Sequence, residues 1–164
     1  MTFEEYQQEA VKFRTETANN EEYLTLGLIA EVGEAAGKLA KRRRDDVFEE
    51  KAFIKELGDI LWFVANLLDY RKNKEAKQRL KDCFLWAFYD AAFPKSHLMF
   101  VAAQAAHLAN SSRFYSDAFE HILRWLGCLA NDFGYTLEQV AEINLAKLRD
   151  RAARGVIKGN GDER

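Results

Sequence analysis

Two short stretches, Glu31-Val32-Gly33-Glu34 and Glu56-Leu57-Gly58-Asp59, each set two acids three positions apart inside segments patterned as buried helix. At about 100° per residue, Glu31 falls between the stripes of Leu24 and Ala35, and Glu56 between those of Phe63 and Leu67. Both acids therefore point inward. An unpaired carboxylate in an apolar interior costs several kcal/mol and would ordinarily neutralise, so four acids converging on one spot imply a cation. Oxygen ligands with no His or Cys among them suit Mg²⁺ or Mn²⁺ far better than zinc. Residues i and i+3 of a helix project side by side, and two such helices packed antiparallel would bring four carboxylates together. The plainer alternative, two solvated charged faces, fits these wheel positions less well.

The elements that must position these acids read as helices throughout. Thr2 caps a first helix with Glu5 as its capping-box partner, a stripe of Phe3, Tyr6, Ala10 and Phe13, and an end near Thr17. Asn19 and Asn20 interrupt it, and Asn20 caps the helix that carries the first acid pair. That helix ends in Lys41-Arg42-Arg43-Arg44, cations well placed against the helix dipole; a phosphate-attracting rim is the functional alternative. A third helix, about Glu49 to Tyr70, carries the second pair. Asn66 shares the stripe of Asp59 seven residues on, which makes it either a support or substrate contact or a buried Asn bonded to backbone. Trp62, on the flank of that stripe, could stack on a base, although core packing explains any one Trp as well.

After a polar joint at 71–75, the pattern predicts an aromatic-rich helix to about Phe93, a break at Pro94, and a helix from Ser96 to about Asn110. A break at Ser111-Ser112 and a helix from about Ser116 to Phe133 follow. Thr136, boxed with Gln139, caps a last helix whose polar face carries Asn144, Lys147 and Arg151; Gly155 stops it, and 158–164 reads as a mobile tail. Three later helices may be set against the first three: the stretch 103–108 aligns with 30–35 and 121–125 with 59–63, with the acids replaced by Gln104, His107, Ala118 and His121. On that reading 71–133 is a helical insert or a diverged repeat that has lost the metal.

The chain of 164 residues, 48% hydrophobic, supports one domain with a real core. One proline and nine glycines are too few turn-formers for a strand-rich fold, so the class is all-α, a helical bundle. A net charge of −2 offers no general attraction to nucleic acid or an anionic membrane, and the one basic run is followed by Asp45-Asp46. Cys83 and Cys128 fall in apolar stretches and read as buried thiols, which fits a reducing cytoplasm. No stretch approaches the ~18 apolar residues of a membrane span, and residues 1–5 lack the basic and apolar regions of a signal peptide. A cytoplasmic protein is expected.

Taken together, Gly27 to Glu34, Glu56 to Trp62, and Asn144-Leu145-Ala146-Lys147-Leu148 with Arg151 and the ending from Arg154 resemble the MazG-like nucleoside triphosphate pyrophosphohydrolases. The resemblance covers about 2–70 and 135–164, and it implies an all-α, Mg²⁺-dependent enzyme, with Mn²⁺ as a substitute, that cleaves nucleoside triphosphates to the monophosphate and pyrophosphate. Such an activity serves nucleotide-pool house-cleaning. It assigns metal ligation and catalysis to Glu31, Glu34, Glu56 and Asp59, without saying which doubles as general base. Lys147 and Arg151 would hold phosphate oxygens, joined by Asn144 on the same face. Lys38, one turn beyond Glu34, could do the same or simply snorkel at the surface. Two Mg²⁺ ions about 3.5 to 4 Å apart would polarise the phosphates and acidify an attacking water.

The departure from the short family members is 71–133, similar to fused versions such as the dimeric dUTPases, in which one half of a duplicated core carries the acids. The insert could supply internally what a second subunit supplies elsewhere, so a homodimer stays open. A di-iron carboxylate bundle would require Glu-x-x-His pairs, and the chain has none. A non-catalytic helical interaction module that keeps the fold is the remaining rival.

Overall fold

Polar caps set where the helices begin. Thr2 accepts from the Glu5 N–H while the Glu5 carboxylate accepts from the Thr2 N–H, and Thr136 and Gln139 repeat the exchange. Asn20 accepts from the Tyr23 N–H at 3.1 Å, and Asn73 from the Ala76 N–H at 2.9 Å. The structure, a computed structural model, describes residues 1–86, 94–110 and 116–156. Their helices are α1 Phe3–Ala10, α2 Glu21–Asp45, α3 Glu50–Tyr70, α4 Lys74–Leu80, α5 Pro94–Asn110, α6 Ser116–Asn131 and α7 Leu137–Ala153. Short 3₁₀ turns occupy Val11–Phe13, Glu16–Ala18 and Cys83–Leu85. No strand occurs among the described residues, and the fold is all-α.

Three boundaries differ from the sequence expectation. Helix α1 stops at Ala10 rather than near Thr17, because the end of α1 is held by α3. The Ala10 carbonyl accepts from the Trp62 indole N–H at 3.2 Å, and Arg14 reaches the Asn66 carbonyl at 3.1 Å and the Asp69 carboxylate at 2.7 Å. The segment after the joint is helical only to Leu80, and Trp86 is already extended. Pro94 begins α5 rather than preceding it, the position where its missing N–H costs nothing. The expected helix between 87 and 93, the break at Ser111-Ser112 and the tail 158–164 lie outside the described residues.

Helices α2 and α3 form an antiparallel pair: Gly27 lies against Phe63, and Lys38 meets Glu56 at 2.9 Å. Helices α5 and α6 form a second pair, with α5 laid on α2 and α6 on α3. Helix α7 closes over α3, and α1 bridges α3 and α7. One continuous apolar core joins all of them, from Phe3 and Tyr6 through Leu24, Leu28, Leu57 and Leu61 to Phe119, Leu126 and Leu145. Cys83 and Cys128 are buried. Among the described residues, no helix is long and apolar enough to cross a membrane.

The α2–α3 contact is tightest at Gly27, where an added Cβ would stand 2.2 Å from the Phe63 ring. That ring is itself held at 5.8 Å from Tyr23 and 4.9 Å from Trp62. In an open helix Gly→Ala stabilises by about 1 kcal/mol, whereas overpacking a filled core costs about 1–3 kcal/mol. Gly27→Ala is therefore expected to destabilise the protein in urea titration by up to about 2 kcal/mol, and a rise in midpoint would contradict the close approach.

Candidate metal centre

Antiparallel packing of α2 on α3 places Glu31 opposite the turn that carries Glu56 and Asp59. Each of the three acids offers one oxygen, and these oxygens lie within 4.8 Å of one another. Glu56 is only 4% exposed, while Glu31 and Asp59 are half-buried. Among the described residues this is the one grouping of three or more acids, histidines or cysteines able to hold an ion. The corresponding face of α5 and α6 carries a half-buried Gln104, exposed His107 and His121, and a buried Ala118. Its fully buried histidine is His97, bonded through Nδ1 to Asp132 at 2.8 Å.

Two lysines reach the acids from either side. Lys38 of α2 pairs with Glu56 at 2.9 Å, and Lys147 of α7 pairs with Oδ2 of Asp59. Three carboxylates thus meet two ammonium groups, and among the described residues no ion pair reaches Glu31. Burial first, then the charges of Asp59, Glu34 and Glu56, push the Glu31 carboxyl up to about 8, with Lys147 opposing them. The site is short of positive charge at one corner.

Helix α7 reaches the acids because position 58 has no side chain. An added Cβ on Gly58 would lie 3.0 Å from Cβ of Asn144, so the glycine of the Glu-Leu-Gly-Asp stretch admits Asn144 to the neighbourhood of Asp59. The Asn144 amide N–H donates to Oδ1 of Asp59 at 3.1 Å, and its carbonyl oxygen accepts from the Tyr6 hydroxyl at 2.8 Å.

Several expected assignments change with this geometry. Glu34 is exposed and stands outside the grouping, although Glu31 feels its charge; its wheel angle, about 60° from Glu31, turns it from the α3 interface toward solvent. Asn144 is 1% exposed, with both ends of its amide committed inside the protein, so it supports Asp59 rather than meeting substrate. Asn66 is fully buried and donates to the Trp62 carbonyl at 2.9 Å, the backbone-bonded alternative, with its Oδ1 lacking a partner. The half-buried Trp62 uses its indole N–H to hold the end of α1. Lys38 is drawn onto Glu56 rather than lying along the surface. Arg151 is half-buried one turn beyond Lys147. Tyr6 and Gly58 were not singled out from sequence; the signal for Tyr6 was a hydroxyl in an otherwise apolar stripe, which needs a buried partner.

These residues fit a hard divalent cation. The donors are all carboxyl groups, they converge on one point, and such an ion would favour the ionised form of Glu31 that its surroundings now disfavour. In the unfolded chain Glu31 ionises at its ordinary 4.5, and in the folded protein at about 8. Between these values the folded state keeps a proton that the unfolded state has released, so stability falls as pH rises and the loss is complete above the folded value. Urea titrations in chelator should show this fall between about pH 5 and about pH 8.5, and Glu31→Gln should flatten it. A variant with the same slope as the wild type would contradict the assignment.

Compared with known proteins, the chain matches no family model, no curated protein and no solved structure.

Proposed function

We propose that the protein is a Mg²⁺-dependent nucleoside triphosphate pyrophosphohydrolase of the MazG-like kind, releasing the nucleoside monophosphate and pyrophosphate in nucleotide-pool house-cleaning. The observation that carries this reading is the convergence of three acids, two of them paired with lysines and the third, Glu31, reached by no ion pair among the described residues. The two Glu/Asp pairs on antiparallel helices, together with the Lys147 and Arg151 face of α7, support the resemblance noted in the sequence.

In this reading Glu31, Glu56 and Asp59 would hold the cation, with the exposed Glu34 adding its charge beside them. Mg²⁺ bound there supplies polarisation of phosphate oxygens and acidification of a water. Water adds to the α-phosphorus, the bond from that phosphorus to the bridging oxygen breaks, and the oxygen leaves with pyrophosphate. The water's proton passes to a carboxylate not fully committed to the cation. Lys147 and Arg151 take up the phosphate charge, Lys147 by leaving Asp59. Nucleic acid and membrane have no place in this reaction, and a homodimer remains compatible with it.

A non-catalytic helical interaction module is favoured by one observation: Lys38 and Lys147 already neutralise two of the acids, as they would in a structural ion-pair network. A panel of ribo- and deoxynucleoside triphosphates with Mg²⁺ separates the two readings. Release of pyrophosphate in one step is expected; stepwise orthophosphate, or no release from any nucleotide, would overturn the proposal. Glu56→Gln should cut activity by more than the ~100-fold that follows loss of an outer partner, with the helical circular dichroism kept. Retention of most activity would remove Glu56 from the site.

A further inference from the structure

The acids that would hold a cation are themselves held, and one of the supports comes from the first turns of the chain. We propose that Tyr6 is a positioning residue for Asp59, acting through Asn144, so that α1 sets the orientation of one ligand of the centre. This inference rests on the metal reading of the site given above.

The hydrogen bonds run in one direction. The Tyr6 hydroxyl donates to Oδ1 of Asn144 at 2.8 Å, which leaves only the amide N–H of Asn144 to face Asp59, and it donates to Oδ1 of the carboxylate at 3.1 Å. Asp59 only accepts, so the amide turns its N–H to the carboxylate and its oxygen to Tyr6, whose donated hydrogen bond then holds it in that place. The phenol remains a donor, because burial and, secondarily, the charge of Asp59 raise its pKa well above the ordinary value.

Neither intermediate group has freedom to wander. Tyr6 is 0% exposed and packed at 6.3 Å from Phe3 and 6.1 Å from Phe84, and Asn144 fills the space that Gly58 leaves. The two oxygens of Asp59 are consequently unequal. Oδ1 is tied into the buried chain of hydrogen bonds, while Oδ2 pairs with Lys147, a partner on a flexible stem. An arriving cation can exchange with the lysine at Oδ2 without disturbing Oδ1. This is how outer partners orient a carboxylate ligand, and their loss typically costs about 10- to 100-fold in metal affinity.

The test is calorimetric titration of the whole protein with Mn²⁺, comparing wild type, Tyr6→Phe, Asn144→Ala, the double variant and Phe3→Leu. Tyr6→Phe keeps the ring and loses only the hydroxyl; its Kd for Mn²⁺ is expected to rise about 10-fold or more. In the Asn144→Ala background the same change should add nothing further, the non-additivity expected of residues acting as one chain. Phe3→Leu loosens the same aromatic cluster without touching the hydrogen bonds, so it should lower Tm and leave the Kd unchanged. An unchanged Kd in Tyr6→Phe, additive effects with Asn144→Ala, or an equal weakening in Phe3→Leu would each overturn the role of Tyr6 while leaving the metal centre intact. A wild-type protein that takes up no Mn²⁺ would overturn the metal reading and this role with it.

Discussion

Mutual repulsion among three carboxylates held within 4.8 Å is the constraint around which the molecule is built. Left alone, such a cluster would push α2 from α3 or take up protons. The fold resists separation at two points on either side of the acids. Gly27 lets α2 press against the Phe63 ring, and Lys38 crosses to Glu56 on the other side. Gly58 lets α7 bring Asn144 and Lys147 to Asp59. Apolar burial along α2, α3 and α7 supplies the stability against which the charge cluster is assembled.

In the proposed function the same arrangement would serve a cation and a polyanion together. Lys38 and Lys147 neutralise part of the cluster without filling it, and a lysine can move from a carboxylate to a phosphate on its flexible stem. On that proposal a divalent ion would relieve Glu31, and the released ammonium groups would meet the charge that a nucleotide brings. The pair α5 and α6 packs against this assembly with no second acid grouping among the described residues; Ala118 is buried at the position aligned with Glu56. A helix pair without inward acids can give most of its interior to packing, with His97 and its bond to Asp132 as the buried polar contact described above.

Much of the scaffold was legible because it depends on local chemistry. Thr2 with Glu5, Asn20, and Thr136 with Gln139 marked helix starts that the structure keeps, and the inward direction of Glu31 and Glu56 followed from helix periodicity. Periodicity gives an angle but no depth, which is why Glu34 could be grouped with Glu31 although it stands in solvent. Contacts across long sequence separations left no local trace. The early end of α1 depends on Trp62 and Arg14, the admission of Asn144 depends on Gly58, and the partner of Tyr6 lies 138 positions away. Asn144 looked like a substrate contact because its helical face also carries Lys147 and Arg151; its two buried hydrogen bonds assign it to the support of Asp59 instead.

In the proposed function Glu31, Glu56 and Asp59 would form a divalent cation site serving a nucleoside triphosphate. It is tested most directly by anomalous diffraction at the manganese edge from crystals grown with Mn²⁺ and a triphosphate whose bond from the α- to the β-phosphorus cannot be hydrolysed. Anomalous density is expected between these three carboxylates, with the triphosphate against it and Lys147 moved from Asp59 to a phosphate oxygen. Manganese bound elsewhere, or these acids still paired only with Lys38 and Lys147 beside saturating nucleotide and metal, would contradict it.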